Sequence, residues 1–275
     1  MQFTHRFPAR LAALLLTATA AFHANAGYVV DGSITDWGLS RTGSSSDWTP
    51  SSSVKAYAVE DQTGGPNAYL NPGYGGQRYD AEAIYLDWDA TNLYVLVVTG
   101  LPSNQVHNPA GNSYGAGDIL FDFGRNGSFD YGMVVKDYAG LTPGTFYRAG
   151  TFNYGLWGAP GVLATPGVNP VALKTGTALG AGQLAYSTTG INSLGQYSND
   201  THYAIEIAVP LALFGTDWVA GGGPDKSFDV QWTMYCANDV ILADPQGRIP
   251  EPGTPWLLIA ALGAGVLPLR KRMAR

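Results

Sequence analysis

Cysteine is nearly missing from this 275-residue chain: Cys236 stands alone, so no disulfide within the chain can staple the fold, and stability must come from a buried core or a bound metal. Charge is also sparse, at 13% of residues, and basic charge is the sparser sign. Between Gly27 and Ile249 there are nine Lys/Arg against 20 Asp/Glu, a balance of −11. Nucleic-acid binding needs clustered Lys/Arg that displace counterions, so this balance excludes nucleic acid as a partner and leaves cations and neutral polar ligands. Between the ends the only histidines are His107 and His202, and neither a Gly-x-Ser-x-Gly nor a metalloprotease-like His motif is present. No helical period of ten or more residues runs through the same region, which argues against a helix bundle.

What the chain does hold is 36 Gly, 16 Tyr and 7 Trp, the composition of a turn-rich and aromatic-rich β protein. Residues 28–30 read as a first strand, with a tight Asp31-Gly32 turn and Trp37 returning to the core. A short strand is expected over 54–59, followed by a long surface loop over 61–80. Runs 83–89 and 92–99 form a hairpin signal, the second run apolar enough to be covered on both faces. A second hairpin is expected from 118–123 and 131–135, with weaker strands over 145–157 and 184–186. Residues 158–182, rich in Pro and Gly, read as an irregular excursion or a disordered insertion. Residues 203–210 alternate as a strand, Leu211 to Phe214 fit one helical turn closed by Gly215, and 228–236 make the last strand. The expected fold is all-β: a single jelly-roll-type β-sandwich over 27–249, flanked by a segment at each end.

Residues 1–26 carry Arg6 and Arg10, an apolar run over 11–22, and the small-x-small site Ala24-Asn25-Ala26. This is the pattern of a secretory signal peptide cut by signal peptidase, and the run is much shorter than the ~20 residues of a membrane span. At the other end Pro250-Glu251-Pro252 precedes 14 mostly apolar residues, 256–269, and then Arg270, Lys271, Arg272 and Arg275. Two prolines hold an extended backbone for a processing enzyme, the apolar stretch enters the membrane, and the basic tail stays cytoplasmic. Residues 250–275 thus closely resemble the PEP-CTERM sorting signal of Gram-negative bacteria. The resemblance implies recognition of Pro250-Glu251-Pro252 by an exosortase, transient C-terminal membrane insertion, and delivery to the cell surface or extracellular matrix where exopolysaccharide and biofilm are made.

Three landmarks mark the domain between the ends: Asp31-Gly32-Ser33-Ile34-Thr35-Asp36-Trp37, then Asn92-Leu93-Tyr94-Val95-Leu96-Val97, then Tyr203-Ala204-Ile205-Glu206-Ile207-Ala208-Val209-Pro210-Leu211. Their order resembles that of family 9 carbohydrate-binding modules and DOMON-like sandwiches. That resemblance implies a sandwich that binds sugar on aromatic platforms, or haem where a His or Met, such as His107 or Met133, stands at a pocket mouth.

Tyr69, Tyr74 and Tyr79 lie in the Gly/Pro/Asn loop beside Gln77 and Arg78, so aromatic faces and hydrogen-bonding groups coincide there. These five are the candidate ligand contacts. Asp122, Asn126 and Asp130, with Gly127, repeat part of a calcium loop, although Gly124 and Met133 replace two expected ligands; a solvated Asn-Gly hairpin explains them as well. Asp87, Asp89 and Asn92, with Asp31 and Asp36, form a second oxygen cluster open to the same two readings. Trp37, Trp88 and Trp232 read as core, whereas Trp157 and Trp218 could be core or exposed. The expectation is a non-catalytic surface protein that binds polysaccharide or neighbouring surface proteins, with calcium as an optional ion. The alternatives are a purely structural surface protein and a carboxylate-pair glycoside hydrolase.

Overall fold

The computed structural model describes residues 27–51, 54–62, 68–164, 167–219, 223–225 and 227–245. The signal-peptide and sorting-signal expectations, Ala24, Ala26 and Pro250-Glu251-Pro252 included, lie outside these residues. Among the described residues no helix is long and apolar enough to cross a membrane.

The protein is all-β. Its principal strands are β1 (Ala56–Val59), β2 (Ala81–Trp88), β3 (Asn92–Thr99), β4 (Ile119–Phe123), β5 (Tyr131–Met133), β6 (Thr145–Tyr154), β7 (Pro170–Ala181), β8 (Gln183–Tyr186), β9 (Tyr203–Pro210), β10 (Phe228–Thr233) and β11 (Val240–Ala243). One sheet runs in the order β1-β2-β3-β9-β8 and the other in the order β7-β6-β5-β4-β10-β11. Every pairing within them is antiparallel.

Strand alternation sets the core. Ile84, Leu86, Val95, Val97, Ile205 and Ile207 of the first sheet meet Phe121, Phe123, Met133, Phe146, Val230 and Trp232 of the second in one buried cluster. The chain passes from the second sheet to the first through a single residue between β7 and β8. That residue is Gly182, where a Cβ would stand 2.7 Å from the Ala208 carbonyl oxygen and 2.8 Å from Met133 Cε.

The opposite face of the first sheet is also apolar, and the N-terminal segment covers it. Ile34, Trp37, Leu39 and Trp48 pack on Tyr85, Tyr94, Leu96 and Val98. This explains why β3 reads as apolar without a break. It also corrects the first expected strand: residues 28–30 form no strand, and Tyr28 and Val30 instead lie as a strap against this cluster. The strap is clasped by Glu206 of β9. Its Oε2 accepts from the Asp31 and Gly32 N–H groups at 3.1 and 2.9 Å, and its Oε1 accepts from Trp37 Nε1 at 2.7 Å. The first and last sequence landmarks are therefore joined directly, which makes them architectural.

Three further expectations change. Residues 158–182 contain β7, a 12-residue strand, and are not an irregular excursion throughout. Pro170 opens the strand, and the Asp118 carboxylate anchors it by accepting from Leu173 N–H at 2.8 Å and Val135 N–H at 3.0 Å. The 61–80 loop is built rather than aperiodic: Ala68–Tyr69 pairs with Tyr74–Gly75, and Gln77–Tyr79 forms a 3₁₀ turn. Among the described residues the last strand is Val240–Ala243, since β10 ends at Thr233. By contrast the strand over 203–210 and the hairpin of β2 and β3 stand where expected.

Candidate functional site

The tyrosine loop meets a second ribbon, Trp157–Ala159 paired with Val162–Leu163. Between them lies a pocket of about 450 Å³, lined by Tyr74, Arg78 and Tyr79 from the loop, Trp157 and Leu163 from the ribbon, and Asn112, Tyr114 and Asn238. Trp157 is locked in place. Its Nε1 donates to Asn238 Oδ1 at 2.8 Å, its carbonyl accepts from Asn169 Nδ2 at 2.6 Å, and a Cβ on Gly73 would strike its ring at 2.5 Å. Asn238 Nδ2 in turn donates to the Tyr74 carbonyl, so one amide ties the tryptophan to the tyrosine loop. Tyr69, Tyr74 and Trp157 follow one another edge to face, at 5.5 and 5.6 Å between ring centres.

Of the five candidate contacts, Tyr74, Arg78 and Tyr79 line this pocket. Tyr69 stands beside it, and both Tyr69 and Tyr74 are 46% exposed. Arg78 Nη1 donates to the neutral amide of Gln105 at 2.9 Å, and among the described residues Arg78 forms no ion pair with a carboxylate. Gln77 turns inward, its Nε2 donating to Glu82 Oε1 at 2.6 Å. Trp157, ambiguous in sequence, joins the pocket, while Trp218 belongs to the core.

Behind the pocket lies a group of acids that sequence reading missed. Asp80, Glu82 and Asp239 are fully buried, and half-buried Glu60 stands against Asp239. Asp239 is compensated by the N–H groups of Ala81 and Asn71, at 2.7 and 3.3 Å. No N–H or hydroxyl among the described residues donates to either oxygen of Asp80, to Glu82 Oε2 or to Glu60 Oε2, so Asp80 and Glu60 meet Asp239 carboxyl to carboxyl. Burial first, and then the charge of Asp239, pushes the Glu60 carboxyl up to about 8. Burial, and then the charges of Glu82 and Asp239, pushes Asp80 up to about 11. Asp80 is therefore held as a neutral acid at pH 7, and Glu60 is biased toward the same form. His202, without a sequence-level partner, is buried with Nε2 3.3 Å from Glu82 Oε1.

In the candidate calcium loop Asp122, Asn126 and Asp130 each accept backbone N–H groups. Asp122 accepts from the N–H groups of Asn126 and Gly127 at 3.1 and 2.7 Å, Asn126 Oδ1 accepts from Ser128 N–H at 2.8 Å, and Asp130 Oδ2 accepts from Phe123 N–H at 2.8 Å. That is hairpin chemistry. Asp89 likewise caps its own turn, accepting from the N–H groups of Thr91 and Asn92. Among the described residues no group of three or more His, Cys, Asp or Glu is placed to hold a metal ion. The haem reading fails at one of its two named ligands, because Met133 is fully buried in the core.

The chain matches no family model, and the comparison with curated proteins finds no match. The chemistry must be read from the pocket itself. Its described lining offers aromatic surface, one guanidinium and two primary amides, and no Asp, Glu, His, Ser or Cys. That set can stack on a flat apolar face and hydrogen-bond to hydroxyls through the phenols, the amides and the guanidinium.

Proposed function

We propose that this chain is an exported, exosortase-processed surface or matrix protein, and that its jelly-roll-type sandwich binds polysaccharide without catalysing a reaction. The observation that carries the reading is the pocket in which Tyr74, Tyr79, Tyr114 and Trp157 surround Arg78, Asn112 and Asn238. A pyranose ring has an apolar C–H face and a rim of hydroxyls, and this lining is complementary to both. The sequence features at the two ends support export and surface delivery, where such a ligand would be met. A hydrolase would need a carboxyl pair facing the ligand, and the raised carboxyls of Asp80 and Glu60 do not line the pocket.

The test is affinity electrophoresis of the full chain, purified in mild detergent, through gels containing a panel of neutral and acidic polysaccharides. Retardation by at least one glycan, lost when Tyr74 and Trp157 both become Ala, is the expected result. Unchanged mobility in every gel would refute glycan binding and leave a structural or protein-binding surface component.

A further inference from the structure

Arg78 lines more than one hollow. A second hollow of about 380 Å³ borders the same side chain and is lined by Gln77, Gly100, Pro102, Asn199, Asp200, Thr201 and Tyr203. Each hollow has aromatic surface, Trp157 with three tyrosines in the first and Tyr203 in the second, and each is lined by an asparagine, Asn112 in the first and Asn199 in the second. Arg78 is the residue they share, and its guanidinium is held from one side only, by Gln105.

Resting on the glycan reading above, we propose that the two hollows are adjacent subsites for the interior of a polysaccharide chain, with Arg78 bridging consecutive sugars. Two hollows that each hold aromatic surface and share one donor residue fit a repeating ligand, in which every unit presents a face to stack and hydroxyls to accept. A single sugar or a chain end would use only one hollow. The polar side chains of Asn199 and Thr201 in the second hollow offer both donors and acceptors to hydroxyls. A neutral chain suits it, since Asp200 there would oppose an anionic unit. The carboxyls of Asp80 and Asp239 behind the first hollow are held against one another and stay out of its lining.

Isothermal titration of the full chain against a length series, from monosaccharide to hexasaccharide, of whichever glycan retards it tests the proposal. Affinity should rise by about tenfold or more once the oligomer fills both hollows, since each tenfold corresponds to about 1.4 kcal/mol of added contact. Tyr203→Ala should abolish that rise with length, whereas Trp157→Ala should weaken long and short oligomers together. A monosaccharide or disaccharide that binds as tightly as the hexasaccharide, or a Tyr203→Ala chain that keeps the full rise, would overturn the two-subsite inference while glycan binding stands. Failure of every glycan, long or short, would remove the underlying reading as well.

Discussion

Two fully buried carboxyl side chains, Glu206 and Asp80, lie on the same sheet or at its edge and are treated in opposite ways. Glu206 accepts three hydrogen bonds from the strap, and burial, opposed by those bonds, lifts it only to about 7. Asp80 has no hydrogen-bond donor among the described residues, sits among Glu60, Glu82 and Asp239, and is lifted to about 11. The difference shows two ways to bury an acid. One supplies donors and uses the carboxylate as a clasp; the other withholds them and keeps a proton on the group.

The largest effect should come from breaking the clasp. Trp37→Ala removes a fully buried ring and one donor to Glu206, and should destabilise the protein by about 3–5 kcal/mol, read as a lower denaturant midpoint. A loss below about 1 kcal/mol would mean that the strap is not part of the cooperative fold.

Next comes pH, which sharpens the other side of the comparison. Glu60, Asp80, Glu206 and Asp118 all have folded values above their ordinary 3.8–4.5, with Glu60 near 8 and Glu206 and Asp118 near 7. In that window the folded state binds more protons than the unfolded chain, so stability is complete below about pH 4 and is lost as pH rises toward 8. Asp47 and Asp89 are lowered and act in the opposite sense below their ordinary values, outside this window. The melting temperature should be at least about 5 °C higher at pH 5 than at pH 8, and a protein more stable at pH 8 would contradict the proton-held cluster.

A smaller effect isolates Asp80. Asp80→Asn replaces a neutral acid with a neutral amide of the same shape, so stability at pH 5 should change by less than about 1 kcal/mol. The fall between pH 5 and pH 8 should flatten. A mutant with the full pH slope would place the titration elsewhere.

The hairpin of β2 and β3 and the strand β9 were legible in sequence because their residues alternate or run apolar over eight positions, and local period is what sequence displays. Strand β7 was hidden because three prolines and several glycines surround it, and what orders it is a distant carboxylate, Asp118. The tyrosine loop was legible as a candidate contact surface because exposed aromatics in a Gly/Pro context have few structural uses, and the structure brings its Tyr74, Arg78 and Tyr79 to one pocket. Its partner Trp157 was not, since it arrives on a ribbon some 80 residues later and is held by Asn238. The acid group left little trace for the same reason: Glu60, Asp80, Glu82 and Asp239 come from the ends of β1, the entry to β2 and the loop before β11, and only Asp80 and Glu82 show a same-face spacing of two.

The proposed glycan meets the protein at Trp157, and the indole N–H resonances in nuclear magnetic resonance read that contact. On titration with the glycan that retards the chain, the Trp157 signal should move while those of the buried Trp37 and Trp232 stay in place. A titration in which Trp157 stays still while the glycan binds would contradict the account and move the site elsewhere on the molecule.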